Sequence, residues 1–199
     1  MLTNNIILLM GIAGTGKMTI GETIVKQTPH FKLSTPDSSL DSVLKLLGDN
    51  EQVWWSLDEK GWSAVNQALD VTLYTIAEVC PKESNFVITS EMLADNPYHQ
   101  NYFERVQHAA TKRGATLTPV RLICELDELL NRVQNTSRSA YFKTRDAELI
   151  KKRVTEEKVF FSKMPNEFTL DVTHLPPDAS ATKIMQWVIS HQSNSSQSE

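Results

Sequence analysis

Residues 6–19 read IILLMGIAGTGKMT: an apolar run, a glycine-rich turn, then a lysine that opens a helical pattern. That order leaves few folds open. A buried strand turning through glycines into a helix aims several backbone N–H groups and the helix N-terminus at one point, which is a site for phosphate. Gly11, Gly14 and Gly16 are expected to supply positive φ, and Lys17 a mobile cation at the β- and γ-phosphates of a nucleoside triphosphate. The spacing from Gly11 to Lys17 is GxxxxGK, so the expected nucleotide-contacting residues are Gly11, Ile12, Ala13, Gly14, Thr15, Gly16, Lys17, Met18 and Thr19. The alternative without function is a glycine turn carrying a solvated lysine.

The pattern departs from its usual form where a hydroxyl would ligate magnesium. Position 18 is Met18, whose thioether is too soft for Mg²⁺, and a hydroxyl follows only at Thr19. Either the ion is held through phosphate oxygens, water and an acid from another strand, or the loop binds nucleotide without turning it over. Mg²⁺ keeps several waters and needs only one or two protein oxygens, which favours the first.

A chain of 199 residues with 40% hydrophobic composition suffices for one sizeable core and not for two large domains. A net charge of −4 and a pI of about 5.8 give no general attraction to nucleic acid or to an anionic membrane, so a small-molecule partner is expected. No apolar stretch approaches the roughly 18 residues of a bilayer span, and the early run from Ile6 to Met10 ends in the glycine turn, not a cleavage site. A cytoplasmic protein is expected. Cys80 and Cys124 lack CxxC spacing and are expected to be reduced, structural thiols. His30, His99, His108, His174 and His191 are scattered without metal-ligand spacing.

Short apolar segments at Asn5–Met10, Phe31–Ser34, Phe86–Thr89, Val120–Cys124 and Phe168–Val172 read as strands. Helical patterns separate them at Lys17–Gln27, Ser39–Leu47, Gly61–Cys80, Tyr98–Arg113, Asp127–Gln134, Asp146–Phe161 and Ser180–His191. This alternation implies an α/β fold with a mostly parallel sheet and helices on both faces, in which ligands bind beyond the carboxyl ends of the strands. The end of the chain, from about Ser190, reads as a disordered tail.

Beyond the strand ends several constellations stand out. Residues 127–145 carry Arg132, Arg138, Lys143 and Arg145. They read as a flap delivering an arginine to a transferring phosphoryl group, or as a solvated basic loop. Asp37, after the second strand, is a candidate base for an acceptor hydroxyl or an N-cap for the next helix. Glu91, after the third strand, is a candidate for magnesium or acceptor contact, or a helix-start acid. Trp54 and Trp55 suit a wall for a ring-bearing acceptor, or core packing; Trp62 and Trp187 read as packing.

The residues from Gly11 to Thr19, the run LLNRVQNTSR from Leu129 to Arg138 and the following Lys143 resemble the small P-loop kinases of the nucleoside monophosphate, shikimate and gluconate kinase group. Adenylate kinases share the non-hydroxyl residue after the lysine, followed by threonine. The resemblance, which covers about residues 3–190, implies a three-layer α/β/α fold with a five-stranded parallel sheet of order 2-3-1-4-5, a kinase-like domain over residues 1–190 and a lid at about 134–146, which leaves 191–199 as the disordered tail. It implies ATP and Mg²⁺ as cofactors, Arg132 near the adenine, Arg138 on the phosphates during transfer, and the backbone from Thr173 to Pro177 beside the adenine. The expected catalytic set is Lys17, Arg138 and Asp37, with Thr19 and Glu91 toward the metal. Residues 33–80 contain no arginine, which favours a neutral or weakly charged hydroxyl acceptor over a phosphorylated one. The rival reading is a nucleotide-binding or regulatory protein without phosphotransfer, motivated by Met18 and by the lack of an aspartate on the third strand.

Overall fold

The computed structural model describes residues 2–48, 52–135 and 144–195. Five strands, β1 (Asn5–Met10), β2 (Phe31–Ser34), β3 (Asn85–Ser90), β4 (Thr116–Ile123) and β5 (Phe168–Asp171), form one parallel sheet of order β2-β3-β1-β4-β5, as expected. The helices are α1 (Lys17–Gln27), α2 (Pro36–Leu47), α3 (Val53–Ser56), α4 (Glu59–Tyr74), α5 (Pro97–Arg113), α6 (Leu126–Val133), α7 (Ala147–Thr155) and α8 (Pro177–Ser195).

β1 is buried along its whole length because both faces of the sheet are covered. Its side chains alternate. Ile6, Leu8 and Met10 join Phe86, Ile88 and residues of α4 and α5 in one core, while Ile7 and Leu9 join Ile20 and Ile24 of α1 and Ile184 and Val188 of α8 in the other. This two-sided burial explains why the strand reads as an unbroken apolar run.

Three boundaries differ from expectation in ways that the fold explains. β4 begins at Thr116, four residues before Val120, and passes through Pro119, which pairs with Leu8 of β1. β5 pairs only from Val120 onward, so one flank of β4 at Pro119 has no strand to which an N–H is owed. The helix expected over Gly61–Cys80 gives way after Tyr74 to a π-helical turn, Thr75–Val79, ahead of Pro81. α7 stops at Thr155 instead of Phe161 because residues 158–160 turn to pair with residues 92–94, with Lys158 O accepting Ala94 N–H at 2.8 Å and Met92 O accepting Phe160 N–H at 3.1 Å.

The tail expected to be disordered from 191 is helical through Ser195, while residues 196–199 lie outside the described residues. Two contacts anchor this last turn. Trp187 stacks on His191 with ring centroids 3.9 Å apart, and Gln192 Nε2 donates to Asn5 Oδ1 at 2.6 Å.

Candidate functional site

The turn between β1 and α1 has the form its glycines imply. Gly14 and Gly16 sit at φ of 95° and 85°. Gly11 does not adopt positive φ and is needed for another reason: a Cβ there would stand 2.8 Å from Thr15 Oγ1 and 2.9 Å from Leu122 O. Buried Thr15 donates its hydroxyl to Ile12 O at 2.9 Å. Lys17 Nζ reaches back over the turn to Gly11 O at 2.8 Å and Ile12 O at 2.9 Å. The first turn of α1 contains no acid, so nothing on the helix itself offsets its positive N-terminal end. Met18 is half-buried and Thr19 is exposed on that turn.

α6 rests directly on the turn. A Cβ on Gly14 would lie 2.9 Å from Val133 Cγ1, and Ile12, Leu129, Val133, Ile150 and Leu93 form a small core of their own. From α6, Arg132 donates Nε to Glu128 at 2.7 Å and Nη2 to Val172 O and Thr173 O at 2.9 and 3.0 Å. Thr173 is buried; its hydroxyl donates to Asp171 at 2.6 Å and accepts Glu125 N–H at 3.0 Å. Those bonds to Thr173 hold the Asp171 carboxyl below its ordinary value. Arg132 and Thr173, expected at the adenine side, are thus brought into direct contact at the carboxyl edge of the sheet.

Glu91 follows β3 and faces the turn. Its Oε1 accepts the Ala13 N–H at 2.9 Å, and Arg153 Nη1 donates to both carboxylate oxygens at 2.7 and 2.6 Å. Beside this cluster His99 Nδ1 accepts the Leu93 N–H at 3.0 Å. Burial, the largest influence, holds the imidazole well below its usual value, at about 4, against the opposing pull of Glu91; Arg153 and Lys17 add to the lowering. Rings continue outward from His99: Tyr98 at 6.0 Å, then Trp62 at 5.0 Å from Tyr98, then Trp54 at 6.1 Å from Trp62. Trp54 is half-buried in this file, whereas Trp55 is 70% exposed, and Trp62, read as packing alone, links Trp54 to Tyr98.

Other expected site residues are placed less fully. Asp37 lies in the first turn of α2 and its side chain is outside the described residues. Asp41, in the same helix, pairs with Lys45 at 2.5 Å. Arg138 and Lys143 lie outside the described residues, and Arg145 donates to Gln134 O at 3.2 Å. Cys124 borders a cavity of ≈ 300 Å³ with Ile12, Thr15 and Leu129, and burial pushes its thiol above the ordinary value.

No cluster of three or more His, Cys, Asp or Glu able to hold a metal ion occurs among the described residues. Glu91 is engaged by Arg153 and Ala13, and Thr19 is exposed on the first turn of α1, so neither is a preformed magnesium ligand. This donor set fits an ion carried chiefly by phosphate oxygens and water.

Sequence reading missed Arg153 and His99. Glu91 and Arg153 are 62 residues apart, and Arg153 sits in a run of basic residues, Lys151 to Arg153, that reads as a solvated helix face.

No family model matches the sequence, and no curated protein matches it. Solved structures do resemble the fold. A candidate kinase from Chloroflexus aurantiacus shares 22% identity and a TM-score of 0.65, with 98% of each chain covered. A gluconokinase from Sinorhizobium meliloti shares 16% identity and a TM-score of 0.59 over 97% of this chain and 99% of that one. A shikimate kinase from Aquifex aeolicus shares 16% identity and a TM-score of 0.57 over 94% and 98%. With its sheet order and its glycine turn between β1 and α1, the chain has the fold of the P-loop small-molecule kinases.

Proposed function

We propose that this protein is an ATP-dependent phosphotransferase that moves the γ-phosphoryl group to a hydroxyl of a small molecule. The observation that carries the reading is the GxxxxGK turn itself, with Lys17 Nζ held over the loop mouth at 2.8 and 2.9 Å from two loop carbonyls. An arriving triphosphate offers that ammonium stronger acceptors than carbonyls, and the loop N–H groups and the α1 terminus complete the anion site. The names of the gluconokinase and the shikimate kinase among the structures of like fold agree with a small hydroxyl acceptor.

In this reading the residues of 11–19 hold the phosphates and Arg132 and Thr173 border the base. Residues 134–146 act as a lid from which Arg138 stabilises charge in flight, and Asp37 receives the acceptor proton. The acceptor oxygen attacks the γ-phosphorus, the bond from phosphorus to the β–γ bridging oxygen breaks, and ADP leaves with the electron pair. Mg²⁺ would travel with the triphosphate, held chiefly by phosphate oxygens and water, with Thr19 and Glu91, still paired with Arg153, as the protein oxygens on offer to its waters. The kinase-like domain spans 1–190, and the protein acts in the cytoplasm.

The test is incubation with γ-labelled ATP and a panel of hydroxyl metabolites. Label in an acceptor product is expected. Tight ATP binding with only trace hydrolysis and no product favours the second reading, a nucleotide-binding protein without transfer, for which Met18 in place of a hydroxyl is the specific observation.

A further inference from the structure

We infer that the acceptor is an uncharged, ring-bearing hydroxyl compound, seated against Tyr98 and Trp62 and hydrogen-bonded by His99 Nε2–H. This deepens the phosphotransferase reading and rests on it.

The first argument is the disposition of arginine, the residue best suited to grip a carboxylate or phosphate. Arg105 donates to Asn66 and Asp70, and Arg113, 2% exposed, donates to the carbonyls of Ile76, Cys80, Pro81 and Ser84. Arg121 donates to Thr169 beside Glu167, Arg132 holds Glu128 and the end of β5, and Arg145 donates to Gln134 O. Arg153, beside the phosphate loop, is neutralised by Glu91, and the pair is only 14% and 27% exposed. The described arginine beside His99 and the glycine turn is therefore already paired with a carboxylate, and an anionic acceptor there would have to compete with Glu91 for it.

The second argument is what the acceptor side does offer. Because His99 Nδ1 accepts a backbone N–H, the ring proton is on Nε2. That atom makes no hydrogen bond among the described residues, and the residue is half-buried, so it presents a neutral donor. The charges that act on this ring are those of Glu91, Arg153 and Lys17, which puts it at the phosphate end of the aromatic file. Tyr98 and Trp62, each half-buried with centroids 5.0 Å apart, continue from it as an apolar face. Flat apolar surface with a neutral donor at one end suits a ring whose hydroxyls accept and donate without carrying charge.

The test uses matched pairs with γ-labelled ATP: phenyl β-glucoside against phenyl β-glucuronide, and uridine against uridine 5′-monophosphate. At least one neutral member is expected to be phosphorylated, with kcat/KM about tenfold or more above its charged partner. Transfer to a charged member alone, or to no member, overturns the inference. In the second case MgATP binding by the same protein separates the failures: retained binding leaves the nucleotide site standing, and lost binding removes the phosphotransferase reading as well. With an active neutral acceptor, His99→Ala should raise acceptor KM by about tenfold with ATP binding retained, and His99→Gln, which keeps a donor, should restore it. An unmoved acceptor KM in His99→Ala contradicts the assignment.

Discussion

Arg153 donates through Nη1 to both oxygens of Glu91, at 2.7 and 2.6 Å, while Glu91 Oε1 also accepts the Ala13 N–H of the phosphate loop at 2.9 Å. α7 is thereby tied to the loop through one carboxylate. The pair is more buried than an ordinary surface bridge, so its coupling should exceed the usual few tenths of a kcal/mol. A double-mutant cycle with Glu91→Gln and Arg153→Gln, read by urea unfolding, should give about 1–2 kcal/mol. A coupling near zero means the two side chains do not hold each other in solution.

His99 makes stability depend on pH. Its folded-state value is depressed to about 4 from 6.5, chiefly by burial, with Glu91, Arg153 and Lys17 as the charged groups around it. The stabilisation it gives is full above about pH 6.5 and is lost as pH falls toward 4, because only the unfolded chain takes up the proton in that window. The largest loss from this group is about 3 kcal/mol. Unfolding free energies of the wild type and His99→Gln should diverge least at pH 5 and most at pH 7.5; parallel pH profiles contradict the assignment.

Arg132 and Arg138 should differ in kind. Arg132 is fixed between α6 and the end of β5, so Arg132→Ala should raise KM for ATP more than it lowers kcat. Arg138→Ala should lower kcat by about 10³ with modest change in ATP affinity. Steady-state kinetics on an identified acceptor reads both; equal effects on ATP affinity alone return the basic segment to a solvated loop.

Met18→Ser restores a hydroxyl at the position where magnesium is usually ligated. If Met18 only weakens metal ligation, this variant should bind MgATP about tenfold more tightly with little change for ATP in EDTA. Calorimetric titration in the two conditions decides it, and no difference places magnesium organisation elsewhere.

Much of the fold was legible because β1, buried on both faces, and the glycines at 14 and 16 each obey a local rule. The errors fall where distant residues decide: Pro119 sits inside β4 because β5 starts late, and α7 ends early because residues 158–160 pair with residues 92–94. The site shows the same division. The glycine turn is contiguous and its conformation could be read, whereas Glu91, His99 and Arg153 meet only through the fold and carry no spacing signal.

The central claim, that residues 11–19 hold a nucleoside triphosphate, is tested most directly by equilibrium MgATP binding to the wild type and Lys17→Ala, with unfolding curves confirming that both are folded. The wild type should bind, and loss of the loop's one side-chain cation should weaken affinity by about 10² or more. Equal affinity in the two folded proteins, or no binding by the wild type, contradicts it.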